Sequence, residues 1–472
     1  MIPCWPIVGA LMAVLVCSTQ GTIAQCQVAR VIGTDGANDA VGFAVAGSAN
    51  ALVVGAPGDD QHGTNAGAVY ILEPRAWDGR QPVRLTLPGA ATGDAFGWAL
   101  AADGARMVVT AAGAEQAGFV YEQTGTPDWV LVARLSDPNP GEIDFFGCSG
   151  ALDGAVAVVG APQTAPDGAA YVFERDESGT WTQTARLTPA DSLAWHFGES
   201  VAVDGDIALI GAPDDFEQGS YAGSAYVFER NPDGSWSQTA KLLPAQGHSL
   251  QSFGAAVAVD GQVILVGASF DNTDRPFTGA VYAFERDAGG AWQQTARFVP
   301  DDAENSDLFG ISVALEADLA VVGAENYAGT FLGYGAAFIY QRQPNRTWRL
   351  VGRVMADDPQ DGSDFGHSVA LSGNLAVVGA PFHDVVTDDG QTLVDAGAAY
   401  VFAVGPDEDG DGMMDACVCP GDVDGDFYVG LDDLMALLRS FGLDAAGDLD
   451  ADADTDLTDL AVLLSNWERV CP

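Results

Sequence analysis

The sequence predicts a mainly β fold, a seven-bladed β-propeller of four-stranded antiparallel blades, followed by a small α-helical module with calcium-binding loops. Three observations support this prediction. A pattern of about 55 residues recurs seven times, and each copy except the last holds four short apolar runs separated by turn residues. After residue 405 the composition changes to aspartate-rich sequence, which marks a second domain.

The N-terminal segment, residues 1–24, is predicted to be a signal peptide. An apolar run over residues 7–17 is followed by a small-x-small cleavage site that ends at Ala24. The run is too short to span a bilayer, and a buried first strand is the alternative interpretation. The prediction is therefore a secreted or extracellular protein, with association to the cell surface left open.

The overall charge limits the partners. The 472 residues carry a formal net charge of −47, with 19 Lys and Arg against 66 Asp and Glu. Such a surface repels phosphate backbones and anionic lipids, so nucleic acid is excluded as a partner. No segment after residue 24 is apolar enough to span a membrane.

Cysteine usage leaves the disulfide pairing open. Cleavage after residue 24 would leave an odd number of cysteines: Cys26, Cys148, Cys417, Cys419 and Cys471. At least one of them stays unpaired or pairs with another chain.

The repeat occupies the predicted propeller domain, residues 25–405. HFGESVAVDGDIALIGAP, which begins at His196, recurs as SFGAAVAVDGQVILVGAS and DFGHSVALSGNLAVVGAP. Successive copies of the shared FG glycine are 55, 50, 51, 56, 56 and 56 residues apart: Gly42, Gly97, Gly147, Gly198, Gly254, Gly310 and Gly366. Spacing this regular indicates an array of equivalent units.

Each unit is predicted to form four strands. In the fourth copy, apolar runs over residues 200–203 and 207–210 flank Asp204-Gly205, a hairpin signal. SAYVFER from Ser224 predicts the third strand, and WSQTAKLL from Trp236 predicts the fourth. Units of this length with four strands and no helical pattern are typical of propeller blades.

The ring is predicted to close through the N-terminal segment 27–32. A fourth-strand tryptophan follows six of the units: Trp77, Trp129, Trp181, Trp236, Trp292 and Trp348. The pattern that begins at Trp77 is longer than the others, and the seventh unit, which ends at Gly405, has no such tryptophan. QVARVI at 27–32 is a strand without a unit of its own, so we expect it to complete the last blade.

The paired FG and GAP signatures over residues 27–405 resemble FG-GAP repeats, the propeller blades of integrin α subunits and many bacterial surface proteins. The resemblance implies a seven-bladed propeller that serves as a binding platform. Several blades in that family carry D-x-D-x-D-G-x-x-D calcium loops. No loop after GAP matches this spacing here, and calcium binding by the propeller loops stays open.

The tail, residues 419–472, has the ligand spacing of calcium-binding loops. Ca²⁺ takes six to eight oxygen ligands, supplied in EF-hand loops from positions 1, 3, 5, 7, 9 and 12. The first loop places oxygens at five of these positions: Asp422, Asp424, Asp426, the carbonyl of Tyr428, and Asp433. The second begins 26 residues later and fills all six: Asp448, Asp450, Asp452, Asp454, Asp456 and Asp459. Apolar residues at helical spacing follow each loop.

Two such loop-helix units resemble a type I dockerin domain. The resemblance implies Ca²⁺ as a cofactor and a cohesin-like protein as the partner. The residues at loop positions 10 and 11 would contact that partner: Leu431 and Asp432, then Leu457 and Thr458. Cysteines 419 and 471 bracket this module, and a bond between them would clasp its ends.

The linker, residues 406–418, is also aspartate-rich. DEDGDGMMDAC resembles a thrombospondin type 3 calcium repeat, with carboxylates at positions 1, 3, 5 and 9: Asp407, Asp409, Asp411 and Asp415. A charged hinge without metal is the alternative.

No catalytic residues are predicted. The five histidines lie in different units and form no zinc-binding cluster, and no nucleophile elbow or phosphate-binding loop occurs. His196 and His367, which lie beside the FG motif, are interpreted as polar residues of the rim.

The leading hypothesis is a secreted, non-catalytic propeller that binds a protein or carbohydrate and is tethered by its dockerin-like domain to a cohesin-like partner. Dockerins usually deliver polysaccharide-degrading enzymes, so one alternative is a hydrolase or lyase with its active site on the propeller. Two or three buried acids with raised pKa at one mouth of the channel would favour that enzyme. The other alternative is a structural surface-layer protein, which would assemble with itself in calcium.

Overall fold

The computed structural model describes a protein that is nearly all β-sheet. The described residues are 27–33, 36–72, 82–125, 128–137, 144–191, 194–327, 333–387 and 390–404, with the single tail residues Leu434, Leu437, Leu438 and Leu460. These leucines are in helical conformation, but single positions define no helix, and the helical module stays a prediction. The described ranges form seven four-stranded antiparallel sheets and one two-stranded hairpin. The signal peptide and the domain boundaries lie outside them.

The first half of the ring contains three complete blades. The chain enters through β1 (Gln27–Ile32). Blade 1 contains β2 (Val45–Ser48), β3 (Ala51–Ala56), β4 (Ala68–Leu72) and β5 (Val83–Leu85). Blade 2 contains β6 (Phe96–Asp103), β7 (Arg106–Ala111), β8 (Ala117–Gln123) and β9 (Trp129–Ser136). Blade 3 contains β10 (Gly150–Asp153), β11 (Val156–Ala161), β12 (Ala169–Arg175) and β13 (Trp181–Leu187).

The second half contains four blades. Blade 4 contains β14 (Ser200–Asp204), β15 (Ile207–Ala212), β16 (Ser224–Arg230) and β17 (Trp236–Leu242). Blade 5 contains β18 (Phe253–Asp260), β19 (Val263–Ala268), β20 (Ala280–Arg286) and β21 (Trp292–Phe298). Blade 6 contains β22 (Val313–Glu316), β23 (Leu319–Ala324), β24 (Ala336–Arg342) and β25 (Trp348–Val354). Blade 7 contains β26 (Ser368–Ser372), β27 (Leu375–Ala380) and β30 (Ala398–Ala403), with a hairpin of β28 (Val385–Val386) and β29 (Thr392–Leu393).

The strands of the fourth unit begin where the sequence predicts them. The turn between the first two differs slightly, because Asp204 still pairs with Ile207 and the loop itself is Gly205-Asp206. Gly205 has a φ of 54°. A glycine at the first position of a two-residue loop is typical of a type II′ turn, whose twist matches the flanking strands.

The ring closes through β1, which is the fourth strand of blade 7. It pairs antiparallel with β30, so that Arg30 faces Tyr400 and Val31 faces Ala399. Val31 is buried in the core between blades 7 and 1. Arg30 donates to Asp358, which also accepts a hydrogen bond of 2.6 Å from the Tyr400 hydroxyl. Main-chain hydrogen bonds of one sheet therefore join the two ends of the propeller.

Neighbouring blades meet main chain to main chain at the FG and GAP positions. Gly254 has a φ of 97°, and a Cβ atom on it would overlap the carbonyl oxygen of Ser224. A Cβ atom on Gly211, at the end of β15, would overlap the carbonyl oxygen of Gly254. Only glycine fits such an approach, which explains why both motifs recur at a constant spacing.

The hydrophobic core is divided among the borders between blades. Seven clusters of buried residues are present, one at each border of the ring. At the border of blades 4 and 5, Phe253 is fully buried, and its ring lies 5.4 Å from that of Tyr282 and 6.0 Å from that of Phe284. These edge-to-face contacts suit the charge distribution of aromatic rings, so each FG phenylalanine anchors its loop to the blade.

Candidate functional site

One face of the ring carries the long loops. Strands 1 and 2 of each blade are joined by two-residue turns on the opposite face. Because neighbouring strands are antiparallel, the loops before strand 1 and between strands 2 and 3 all emerge on the other side, which we call the loop face. Loops carry most binding residues of rigid β scaffolds, so we expect a binding site on the loop face.

Aromatic side chains of blades 4 and 5 stand on the loop face. Ring centroids are 5.4 Å apart for Trp195 and Phe216, 5.5 Å for Phe216 and Tyr221, and 5.9 Å for Phe270 and Phe277. We call these five residues the aromatic cluster. Trp195 is 51% exposed and Phe270 is 41% exposed. Aromatic groups left open to solvent in this way mark interaction surfaces.

The aromatic cluster is held in place by the main chain. Tyr221 and Phe277 occupy the same position in their units, with φ of 56° and 55°. Such angles are uncommon for bulky residues, and the equivalent residues Asn65 and Asp395 have the same conformation, so the loop geometry of the repeat imposes it. The loop of the following blade fixes each one, because Ser252 donates its N–H to the carbonyl of Tyr221 at 3.1 Å and Leu308 donates to Phe277 at 3.3 Å. Side chains ordered in advance lose less entropy when a ligand binds.

A buried aspartate under each of these loops ties it to the fourth strand. In blade 4, Asp215 is fully buried and lies 2.9 Å from the Lys241 ammonium, while the Tyr226 hydroxyl donates to it at 2.9 Å. In blade 5, Asp271 lies 3.0 Å from the Arg297 guanidinium. The cation of the fourth strand therefore neutralises a carboxylate that positions the aromatic loop.

The pKa of Asp271 shows the strength of this arrangement. Desolvation alone would raise it, but the hydrogen bonds from Tyr282 and Thr273 and the charge of Arg297 outweigh burial and lower the pKa to about 2. The carboxylate is therefore charged at every physiological pH, and the loop stays anchored.

A ring of side chains surrounds the mouth of the central channel on the loop face. Each follows an FG glycine at the start of the innermost strand, and we call them the FG ring: Phe43, Trp98, Cys148, Glu199, Ala255, Ile311 and His367. The Phe43 ring lies 4.7 Å from that of Trp98 and 5.1 Å from that of His367. Three consecutive blades therefore meet through aromatic contacts at this mouth.

Cys148 and Glu199 of the FG ring have shifted pKa values. Burial raises the pKa of Cys148 to about 12, and the charge of Glu199 adds to the shift. This thiol is protonated at neutral pH and is a poor nucleophile. Desolvation in the concave mouth raises the pKa of Glu199, opposed by His196 and assisted by Asp214, although solvent still reaches the side chain.

The opposite mouth of the channel is acidic. A cavity of ≈ 660 Å³ there is lined by Asp103, Asp153, Asp204, Asp260 and Glu316, among other residues. Each of these five carboxylates accepts a backbone hydrogen bond from the turn of the next blade, such as 2.7 Å from Gly154 N–H to Asp103 and 2.5 Å from Gly205 N–H to Asp153. They therefore join neighbouring blades, which is a structural role.

The two rim histidines are each paired with a carboxylate. His196 Nδ1 lies 2.7 Å from Asp214 Oδ2, and His367 Nδ1 lies 2.9 Å from Glu325 Oε2. Both lie on the loop face beside their FG motif, as the sequence predicts. Of the described cysteines, Cys148 is free.

The calcium ligands and partner contacts predicted from the sequence all belong to residues 407–459, and every one lies outside the described residues. The same is true of Trp77. These assignments therefore stay predictions.

Sequence reasoning missed the buried aspartates under the loops. Their signal is an aspartate at the third position after GA, as in Asp59, Asp215 and Asp271, which occurs with a cation in the fourth strand. The two positions lie about 25 residues apart in the sequence, and pairing of the strands in the sheet brings them into contact. The ion pair between Asp59 and Arg84 is one example.

Repeated four-stranded blades around a channel, with FG and GAP glycines at every border, define a β-propeller of the FG-GAP class. The FG-GAP repeat family profile matches residues 26–72, 129–173, 181–228, 236–284, 292–340 and 348–402, and the chain belongs to this family. No helix among the described residues is long and apolar enough to cross a membrane.

Curated relatives are integrin alpha chains. The protein is 28% identical to chicken integrin alpha-6 over 176 residues. This alignment covers 34% of the present chain and 16% of the relative. Over 156 residues it is 30% identical to mouse integrin alpha-3, covering 30% of this chain and 14% of the relative. The matches therefore span a small part of these longer relatives. A solved protein from Lactobacillus plantarum aligns with a TM-score of 0.43 and 13% identity over 67% of this chain and 86% of that one.

Proposed function

We propose that this protein is a secreted, non-catalytic binding propeller whose loop face holds a protein ligand. The FG-GAP propeller fold supports a binding or structural role. The observation that carries the proposal is the aromatic cluster, which is exposed, ordered by the backbone and underlain by buried ion pairs. Aromatic anchors of this kind supply most of the energy in protein interfaces.

Truncation of the cluster tests this proposal. Trp195→Ala and Phe270→Ala each remove an exposed ring without disturbing the core. We expect each to weaken ligand retention from the culture secretome by about 30-fold, the effect of losing a 2 kcal/mol hot spot. Leu350→Ala is the matched control, because Leu350 is 40% exposed on the outer strand β25. If both aromatic variants retain the same proteins as the control, the proposal is wrong; elution by soluble glycans would indicate a carbohydrate ligand instead.

The tail would tether this propeller to a cohesin-like partner in a calcium-dependent manner. The support is the doubled ligand spacing in the sequence, with a carboxylate at position 12 of each loop, where Ca²⁺ sites need bidentate coordination. Bound Ca²⁺ would order the two loops and present the residues at positions 10 and 11. In the full chain, Asp424→Asn with Asp450→Asn should abolish partner capture as EDTA does. Capture that is insensitive to both would refute the tether.

A polysaccharide-cleaving enzyme is the second candidate. The observation that favours it is that two separate carboxyl groups on the loop face have raised pKa values, Glu199 in blade 4 and Asp364 in blade 7. Desolvation is the main cause for Asp364, and Glu325 adds to it, so its pKa is raised to about 6. A general acid needs such a shift. Glu199→Gln and Asp364→Asn would then abolish release of reducing sugars from a polysaccharide panel, whereas absence of any release by the unaltered protein rejects this candidate.

A further inference from the structure

Three side chains with metal-ligating atoms converge at the border of blades 6 and 7. Glu325, Asp364 and His367 each offer one ligand atom, and these atoms lie within 4.8 Å of one another. Glu325 directly follows strand β23, while Asp364 and His367 flank the FG motif that precedes β26. All three are half-buried, so solvent reaches the cluster but the backbone around it is part of the ring.

The other borders of the ring provide an internal comparison. The position equivalent to Glu325, directly after GA, holds no ligating side chain elsewhere: it is Pro57, Ala112, Pro162, Pro213, Ser269 or Pro381. Within the described ring, the position equivalent to Asp364 holds a ligating side chain at one other border, where it is His196, and that border has proline in place of Glu325. Among the described borders, Glu325 is therefore the one ligating side chain at its position in the repeat, and Asp364 and His367, about 40 residues later in the chain, meet it in space. Blade packing accounts for proline and small residues there, but it does not account for this combination.

The charges at the cluster are unbalanced. The Glu325 carboxylate is hydrogen-bonded to His367 at 2.9 Å. Among the described residues, no lysine or arginine forms an ion pair with Glu325 or Asp364, whereas Asp215 and Asp271 of other blades each have a cation. Two carboxylates held this close repel each other unless a positive charge lies between them.

We propose that Glu325, Asp364 and His367 bind one divalent transition-metal ion of the zinc type. Zn²⁺ bonds imidazole nitrogen and carboxylate oxygen at about 2.0 to 2.2 Å, and three protein ligands leave a fourth position for water. The ligand atoms of a tetrahedral site are separated by less than the 4.8 Å seen here, so small side-chain rotations complete it. Calcium is disfavoured, because it requires six to eight oxygen ligands and does not select imidazole.

The bound ion would join blade 6 to blade 7. Blade 7 is the one completed by the N-terminal strand β1, so this border lies next to the closure of the ring. An ion that binds the folded ring and not the unfolded chain stabilises the ring, and the gain in the free energy of unfolding grows with the logarithm of the ion concentration above Kd. The site differs from the tail loops in ligand chemistry and in its position along the chain.

Zinc titration of the full-length protein tests the proposal. The protein is stripped with EDTA, returned to excess calcium so that the tail sites are constant, and titrated with Zn²⁺ by calorimetry. Glu325→Gln and His367→Gln should each weaken one Zn²⁺ site by more than about tenfold, because even loss of an outer-shell partner of a metal ligand costs 10 to 100-fold. His196→Gln is the matched control, since this rim histidine lies at a border where Pro162 replaces the third ligand.

A second measurement keeps the test decisive if one variant folds poorly. X-ray absorption of the zinc-loaded protein should show one imidazole among oxygen ligands. The thermal unfolding temperature of the unaltered protein should also rise with Zn²⁺, whereas that of Glu325→Gln should not. Equal Zn²⁺ affinity and stoichiometry in the unaltered protein and both cluster variants would overturn the proposal. So would a zinc spectrum without imidazole.

Discussion

Replacing Lys241 by methionine tests the role of the buried ion pairs beneath the loop face. Lys241 is the only lysine of the chain. Its ammonium lies 2.9 Å from both Asp191 and Asp215 and 2.6 Å from Glu217. The Lys241 side chain is 13% exposed and that of Asp215 is fully buried. Methionine keeps most of the apolar stem, so the change removes chiefly the charge.

The magnitude follows from the burial of Asp215. Loss of the cation leaves a buried carboxylate without a counter-charge, which costs about 3 to 5 kcal/mol. Ser224 and Tyr226 still donate hydrogen bonds of 2.9 Å each to Asp215, so we expect the lower end of that range. Glu217 and Asp191 are partly exposed and contribute about 1 kcal/mol or less each. The expected loss in the free energy of unfolding is therefore about 3 kcal/mol.

Urea unfolding followed by tryptophan fluorescence, in calcium at 25 °C, measures this loss. Arg134→Met is the matched control, because Arg134 holds the equivalent position in blade 2 but its ion pair with Glu115 is largely exposed. We expect the control to lose about 1 kcal/mol or less. Addition of Asp215→Asn to Lys241→Met should restore part of the stability, since the buried charge is gone. If Lys241→Met and Arg134→Met are equally stable, the reasoning is refuted.

Three further predictions concern the ring. Gly254→Ala should lower the free energy of unfolding by more than about 2 kcal/mol. The control Gly261→Ala, at a positive φ with open space around it, should lower it by only about 1 kcal/mol. Equal losses would contradict the close approach of the blades. Val31→Asp places a charge in the core between blades 7 and 1. The unfolding temperature measured by calorimetry should therefore fall, and an unchanged unfolding temperature would mean that β1 is dispensable. Because the pKa of Asp271 is lowered to about 2 from 3.8, its stabilising contribution is present above pH 4 and lost as the pH falls toward 2. Asp271→Asn should therefore flatten the acid limb of a stability-versus-pH curve, and an unchanged limb would contradict the assigned pKa.

Much of the fold was predictable because it depends on local patterns. The strands that begin at Ser200, Ile207, Ser224 and Trp236 follow from apolar runs and turn residues within a single unit. The closing strand at 27–32 was predictable because one unit lacks a fourth strand and one strand lacks a unit. Both inferences need only the count of elements and the tendency of apolar strands to pair.

The candidate site was less predictable, because its residues come from different loops. Trp195 and Phe216 lie 21 positions apart and meet only because two loops emerge on one face. An exposed aromatic side chain and a buried one look the same in the sequence. The difference between them depends on which neighbour covers each ring.

The amino-acid sequence alone determined the number of blades, the order of their strands and the glycine positions at their borders, since these features repeat in every unit and obey local rules. Contacts between units required the assembled ring. Arg230 pairs with Glu174 of the previous blade at 2.5 Å, and Glu325 meets His367 of the next blade. Such contacts depend on the angle and distance between neighbouring sheets, which no single unit encodes.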